Sequence, residues 1–231
     1  MTEGTAKFFL LQVNDALFPI GGYSHSYGLE TYIQKGLVHD EDSAEEFIHK
    51  RLEYNFLYNE FLAVRLGWEY AVSGDLTAIS RLEEIMEAGK IPRETREASR
   101  KLGSRFIKTL SALEIPCENR VFEEYREARK GKSVHHAVAY GVFCGAAGIT
   151  REEALEHFLY AQTSAMVTNC VKTIPLSQSS GQKLLSGCYP LLQKMTEKVS
   201  GLAEAWVGLS GPAFALRFMQ HEGLYSRIYM S

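Results

Sequence analysis

An all-α fold follows from three features of this 231-residue sequence. Apolar residues recur at helical spacing through most of the chain, whereas alternating β-branched runs hardly occur. Helix start and stop residues punctuate those runs, and no Asn-Gly or Asp-Gly hairpin pair is present. The pattern predicts one domain over residues 1–231, a single globular bundle of roughly ten helices.

The elements are justified in order. Residues 18–30, FPIGGYSHSYGLE, set turn chemistry and hydrogen-bonding side chains before a helical start. Pro19 fixes its own φ, Gly21 and Gly22 open backbone conformations closed to other residues, and Ser24 or Ser26 is placed to cap the helix. Ser43 and Glu46 make a capping box ahead of Phe47, Ile48, Leu52, Phe56 and Leu57, a pattern that runs to Val72 and stops at Gly74. Asp75 caps a helix carrying Leu76, Ile79, Leu82, Ile85 and Met86, ended at Gly89. Pro92 suits a first helical position. Pro116 breaks the following run, and Asn119 opens a short amphipathic helix with Val121, Phe122 and Tyr125. Residues 133–147 are apolar nearly all round, which predicts a central helix, and Gly141 and Gly145 would let a neighbour approach closely. Thr150 and Glu153 form a second capping box for a helix reaching Pro175. Helical stretches over 178–199 and 203–220 follow, interrupted by Pro190 and by Gly211-Pro212.

Composition limits the function. The chain is 45% hydrophobic and 23% charged, with a net charge of −3, which argues against nucleic acid as a partner. The start has no signal-peptide pattern, and the apolar run 134–149 contains His135 and His136 and is short for a bilayer. The expectation is a cytoplasmic protein that does not engage membranes. Cys117, Cys144, Cys170 and Cys188 form no C-x-x-C pair, so reduced, buried thiols are expected rather than a zinc framework.

No catalytic constellation emerges. Gly131-Lys132-Ser133 resembles the end of a P-loop, but Arg126 stands where the first glycine would be, and no strand feeds it. Glu46-x-x-His49 has half the spacing of a di-iron site without its second half. His135 and His136, adjacent on a helix, point about 100° apart and cannot chelate from one face. With His25 and His49 they motivate a rival reading, a helical metal-dependent enzyme, but a stable metal site is not expected.

Two other stretches stand out. VKTIPLSQSSGQKLL, 171–185, sets Lys172 before a helix-breaking proline, and Gln178 and Gln182 then flank a glycine. The plain account is helix C-terminal electrostatics; the alternative is a polar partner surface. HEGLYSRIYMS, 221–231, carries Leu224, Tyr225, Arg227, Ile228, Tyr229 and Met230, residue types suited to interface anchors. Either this tail packs back onto its own bundle or a partner orders it; the anchor types favour the partner.

These stretches, with RETREASRKLGSRF at 93–106 and HHAVAYGVFCGAAGI at 135–149, resemble the urease accessory protein UreF family over nearly the whole chain, with a tail similar to Helicobacter-type members. The resemblance implies a helical, homodimeric, non-enzymatic co-chaperone. Such proteins bind UreD (UreH in some systems) and the GTPase UreG and assemble on apo-urease to promote nickel insertion. GTP is bound by UreG, and nickel is handled by the complex. By position, Tyr225 and Arg227 look like partner contacts, with His221, Ile228 and Tyr229 beside them. Tyr160 looks like a dimer-interface position, and Lys172 falls in the segment linked to UreG; Gln178 and Gln182 are expected among the partner-binding residues. Ser24, His25 and Tyr27 are expected to face a polar channel. The alternative is a GTPase-activating or gating regulator of UreG. Lysine at 172, where many members carry arginine, lacks the planar fork of an arginine finger.

Overall fold

Strong caps and apolar stripes produce the helices where the sequence places them. The computed structural model describes residues 3–209 and 211–231, with side chains from residue 5 onward; positions 1, 2 and 210 of the expected domain lie outside the described residues. In chain order the helices are α1 (Glu3–Val13), α2 (Leu29–Gln34), α3 (Glu41–Arg51), α4 (Leu62–Ser73), α5 (Leu76–Gly89), α6 (Arg93–Leu113), α7 (Val121–Ala128), α8 (His136–Ala146), α9 (Arg151–Thr173), α10 (Gln178–Gly187), α11 (Tyr189–Ser200) and α12 (Pro212–His221). No strand occurs among the described residues. None of their helices is long and apolar enough to cross a membrane.

Asp75 accepts a hydrogen bond from the Ala78 amide at 2.8 Å, and Thr150 accepts one from the Glu153 amide at 3.3 Å. The earlier capping box is shifted in register. Asp40 is the cap of α3 and Ser43 its reciprocal partner, with Ser43 N–H donating to Asp40 Oδ1 at 2.9 Å. Ser43 therefore sits inside the first turn, and Glu46 is left to pair with Lys50 on the outer face. The stretch 178–199 divides at Cys188 into two helices, with Pro190, which has no N–H to continue the ladder, in the first turn of α11.

Between α3 and α4 the backbone winds as a π-helix over Leu52–Phe61. Its wider i→i+5 winding brings residues four and five apart onto one face. Arg51, Asn55, Asn59 and Glu60 consequently line a single cavity.

The core is organised on α8, whose residues 137–146 are all buried. It lies backbone to backbone on α4. Any β-carbon at Gly67 would stand 3.0 Å from the Val138 carbonyl oxygen, and one at Gly145 would stand 2.8 Å from that of Trp68. The N-terminus of α8 is held from α5. Glu83 is fully buried and accepts the His135 amide at 2.9 Å and the Tyr125 hydroxyl. The His135 ring contacts Ser99 Oγ at 3.0 Å and Glu87 Oε2 at 3.1 Å.

Burial pushes the Glu83 carboxyl up to about 7, with Glu87 adding to the rise, against the pull of Tyr125, the His135 amide and Arg129. The folded chain therefore binds this proton more tightly than the unfolded chain, and the stability it contributes at low pH is lost as pH rises through 7. Glu83→Gln mimics the protonated form. Relative to the parent it is expected to gain up to about 3 kcal/mol between pH 4.5 and pH 8. Denaturant unfolding of both proteins across that range checks this, and a pH-independent difference would refute it.

The four cysteines are free thiols. Cys144, Cys170 and Cys188 are buried and Cys117 is half-buried. Burial pushes the Cys170 thiol up to about 12 and the Cys188 thiol up to about 11.

Candidate functional site: the docked tail and its cavities

Glu30, on the short helix α2, organises the tail. Its Oε1 accepts the Ile228 amide at 2.7 Å, and its Oε2 accepts the Tyr229 amide at 3.0 Å. The His221 ring is completely buried and bridges two carboxylates, Nε2 to Glu30 Oε2 at 3.1 Å and Nδ1 to Glu94 Oε2 at 2.6 Å. Arg227 Nη1 donates to the other oxygen of Glu94 at 2.6 Å. Beyond this clasp the tail pairs with the 18–30 stretch. The Met230 amide donates to Ser24 O at 2.8 Å. The amides of Ser26 and Tyr27 donate to Ser231 O at 2.6 and 2.8 Å. Ser26 Oγ donates to the same oxygen, and His25 Nδ1 lies 2.9 Å from Ser231 Oγ.

The tail is thus ordered on its own bundle, which corrects the expectation that a partner orders it. Its backbone donors find acceptors on Glu30 and on the Ser24 carbonyl, and its last carbonyl accepts from Ser26 and Tyr27, so the folded chain itself repays the cost of ordering. The tail residues then sort by side. His221 and Tyr229 are buried and present no surface to a partner. Tyr225, Ile228 and Met230 are exposed, and Tyr225 is fully so. Arg227 is exposed along its edge while ion-paired with Glu94.

The segment 22–27 is likewise redistributed. Neither Ser24 nor Ser26 caps α2, whose cap is Gly28 in the left-handed region at φ 80°. Ser24 Oγ donates to the Gly21 carbonyl at 2.7 Å, which closes the turn and removes it from any channel lining. His25 is buried rather than surface-facing. Burial lowers its ring to about 4, helped by Lys101 and Arg105 and opposed by Glu94. It lines a cavity of about 60 Å³ with the polar side chains of Tyr27, Arg51, His136, Gln162 and Asn169 and the apolar ones of Ile20, Leu102 and Met166. That volume accommodates ordered water. Burial also holds His136 at about 4, against Glu60, and its Nε2 has no hydrogen-bond partner among the described residues. His135 and His136 do not act as a pair: one caps α8 against Glu83 and Glu87, while the other packs 5.2 Å from the Phe106 ring and 5.6 Å from that of Phe158. No group of three or more metal-ligating side chains converges among the described residues.

His136, Gln162 and Asn169 also line an open groove of about 450 Å³, edged by Leu11, Tyr23, Tyr160 and Lys172. Tyr160, Tyr23 and Leu11 are exposed along it. Lys172 is exposed on the last turn of α9, and Gln178 and Gln182 are exposed four residues apart on α10.

Sequence reasoning missed Glu30, Glu94 and Arg51. Glu30 and Glu94 meet the tail only across the fold. Arg51 carried a readable signal: it falls on the same helical face as Ala44, Ile48 and Leu52, all of them buried.

Comparison with known proteins adds an independent line. A family model described as UreF matches residues 38–189. Proteins named urease accessory protein UreF from Actinobacillus pleuropneumoniae serotype 5b (strain L20) and serotype 3 (strain JL03) are each 34% identical to this chain over 224 residues. The alignments cover 96% of this chain and 97% of each relative.

Proposed function

Because this chain belongs to the UreF family, we propose that it is a non-enzymatic adaptor in urease maturation. In this reading it binds UreD (or UreH) and the GTPase UreG, and the assembly on apo-urease promotes nickel insertion in the cytoplasm. GTP belongs to UreG, and nickel is cargo of the complex rather than a resident cofactor of this chain.

The observation that carries the reading is the docked tail. Tyr225, Ile228 and Met230 project from a backbone already fixed by Glu30 and Ser24. Large apolar side chains displayed on an ordered surface lose little further entropy on association, which suits interface anchors. The groove edged by Tyr160 and Lys172 supports a second contact face, assigned in this reading to the homodimer. Because Lys172 edges the same groove, any contact of UreG at Lys172 would compete with self-association there.

Tyr225→Ala and Ile228→Ala test the assignment. Each is expected to weaken capture of UreD or UreH at least tenfold, with an unchanged Tm because both side chains are exposed. Deleting residues 224–231 is expected to abolish urease activation in cells. Full activation by that deletion would sink the tail assignment.

A further inference from the structure

A second cavity, of about 420 Å³, lies between the π-helical segment, the α5–α6 turn and α12. Its volume falls in the roughly 300–1,000 Å³ range of small-molecule sites. Its mouth is apolar, with Ile91, Leu216 and Met219 exposed around it. Its inner wall is charged. Arg51, only 5% exposed, lies with its guanidinium carbon 4.7 Å from the Tyr27 ring centroid and 5.9 Å from that of Phe218. The rings flank the guanidinium, and its Nε has no hydrogen-bond partner among the described residues. Among the described residues the one carboxylate lining the cavity, Glu60, is ion-paired with Lys90 and supports Arg51 only through space. Two cations therefore stand against one anion, and Arg51 makes no ion pair of its own with it.

We propose that this cavity binds a small amphiphilic monoanion, an apolar body bearing a single carboxylate, with the carboxylate on Arg51 and the body against Phe218, Leu216 and Met219. A buried guanidinium with an idle donor is costly in a free protein and is satisfied by a carboxylate, whose geometry its fork matches. One net positive charge and apolar walls suit a monoanion with a hydrophobic body better than a phosphate dianion. The inference is independent of the adaptor role.

Calorimetric titration of the full chain with phenylacetate, phenylacetamide and inorganic phosphate tests it. Phenylacetate is expected to bind, with the uncharged amide and inorganic phosphate each at least tenfold weaker. Ala215→Phe fills the mouth without touching Arg51 and is expected to leave the Tm in place while abolishing binding. Arg51→Met is expected to lose binding with a Tm equal to or above that of the parent, a combination a purely structural arginine would not give. The proposal is overturned if phenylacetate fails to bind at millimolar concentration. It is overturned equally if binding survives both substitutions, if phosphate binds as tightly as phenylacetate, or if Arg51→Met lowers the Tm by several degrees.

Discussion

Gly141→Ala is expected to lower the Tm by about 6–12 °C, the equivalent of about 3 kcal/mol in a chain of this size. On an exposed helix the same change would stabilise by about 1 kcal/mol, because alanine is the better helix former. Here packing outweighs propensity. A β-carbon at Gly141 would overlap the carbonyl oxygen of Val64 and stand 3.0 Å from the Trp68 amide nitrogen. Both are backbone atoms of α4, so no rotamer change relieves the clash, and one helix must move off the other. Because residues 137–146 of α8 are all buried, that movement would loosen the whole core. Thermal melts by circular dichroism check this, with Gly187→Ala as the control. At Gly187 the nearest atom to a new β-carbon is the end of the Glu45 side chain at 3.7 Å, and little change is expected. An unchanged Tm for Gly141→Ala would mean that the α4–α8 approach is looser than described.

Glu30→Ala is expected to release the tail. The substitution strips the acceptor from the Ile228 and Tyr229 amides and from His221 Nε2 in one step. Unmatched buried donors cost about 1–3 kcal/mol each. These costs are not additive, so the tail escapes by undocking rather than bearing the sum. Tryptic cleavage after Arg227 and amide exchange at residues 226–231 are expected to accelerate at least a hundredfold, while the bundle core stays protected. Exchange in the tail at the parent rate would show that the pairing with Ser24 and Ser26 suffices without Glu30. Under the proposed role, urease activation in cells is expected to fall in parallel with undocking.

The local part of this fold was legible in the sequence because it depends on neighbours. Asp75 and Thr150 cap as read, and Gly141 and Gly145 mark a close helix crossing. The register of the first capping box was missed because Asp40 and Ser43 both carry a suitable oxygen, and only the entry angle of the chain decides between them. The π winding at Leu52–Phe61 leaves the apolar pattern nearly intact, so periodicity does not announce it. The candidate site was legible as a set of unusual stretches but not as an arrangement. Its central residue, Glu30, acts on amides almost two hundred positions away, and backbone amides carry no sequence label.

The pairing of Ser24–Tyr27 with the tail has a consequence for biosynthesis. His25 and Ser231 are 206 positions apart. At a synthesis rate of roughly 5–20 residues per second, the Ser24–Tyr27 segment is made about 10–40 s before the tail it pairs with. Until then Glu30 has no amides to bind, and the surface displaying Tyr225 and Ile228 does not exist. A chain that lacks residues 224–231 therefore lacks that display, and the surface becomes available only once those residues have been made and docked on Glu30 and Ser24.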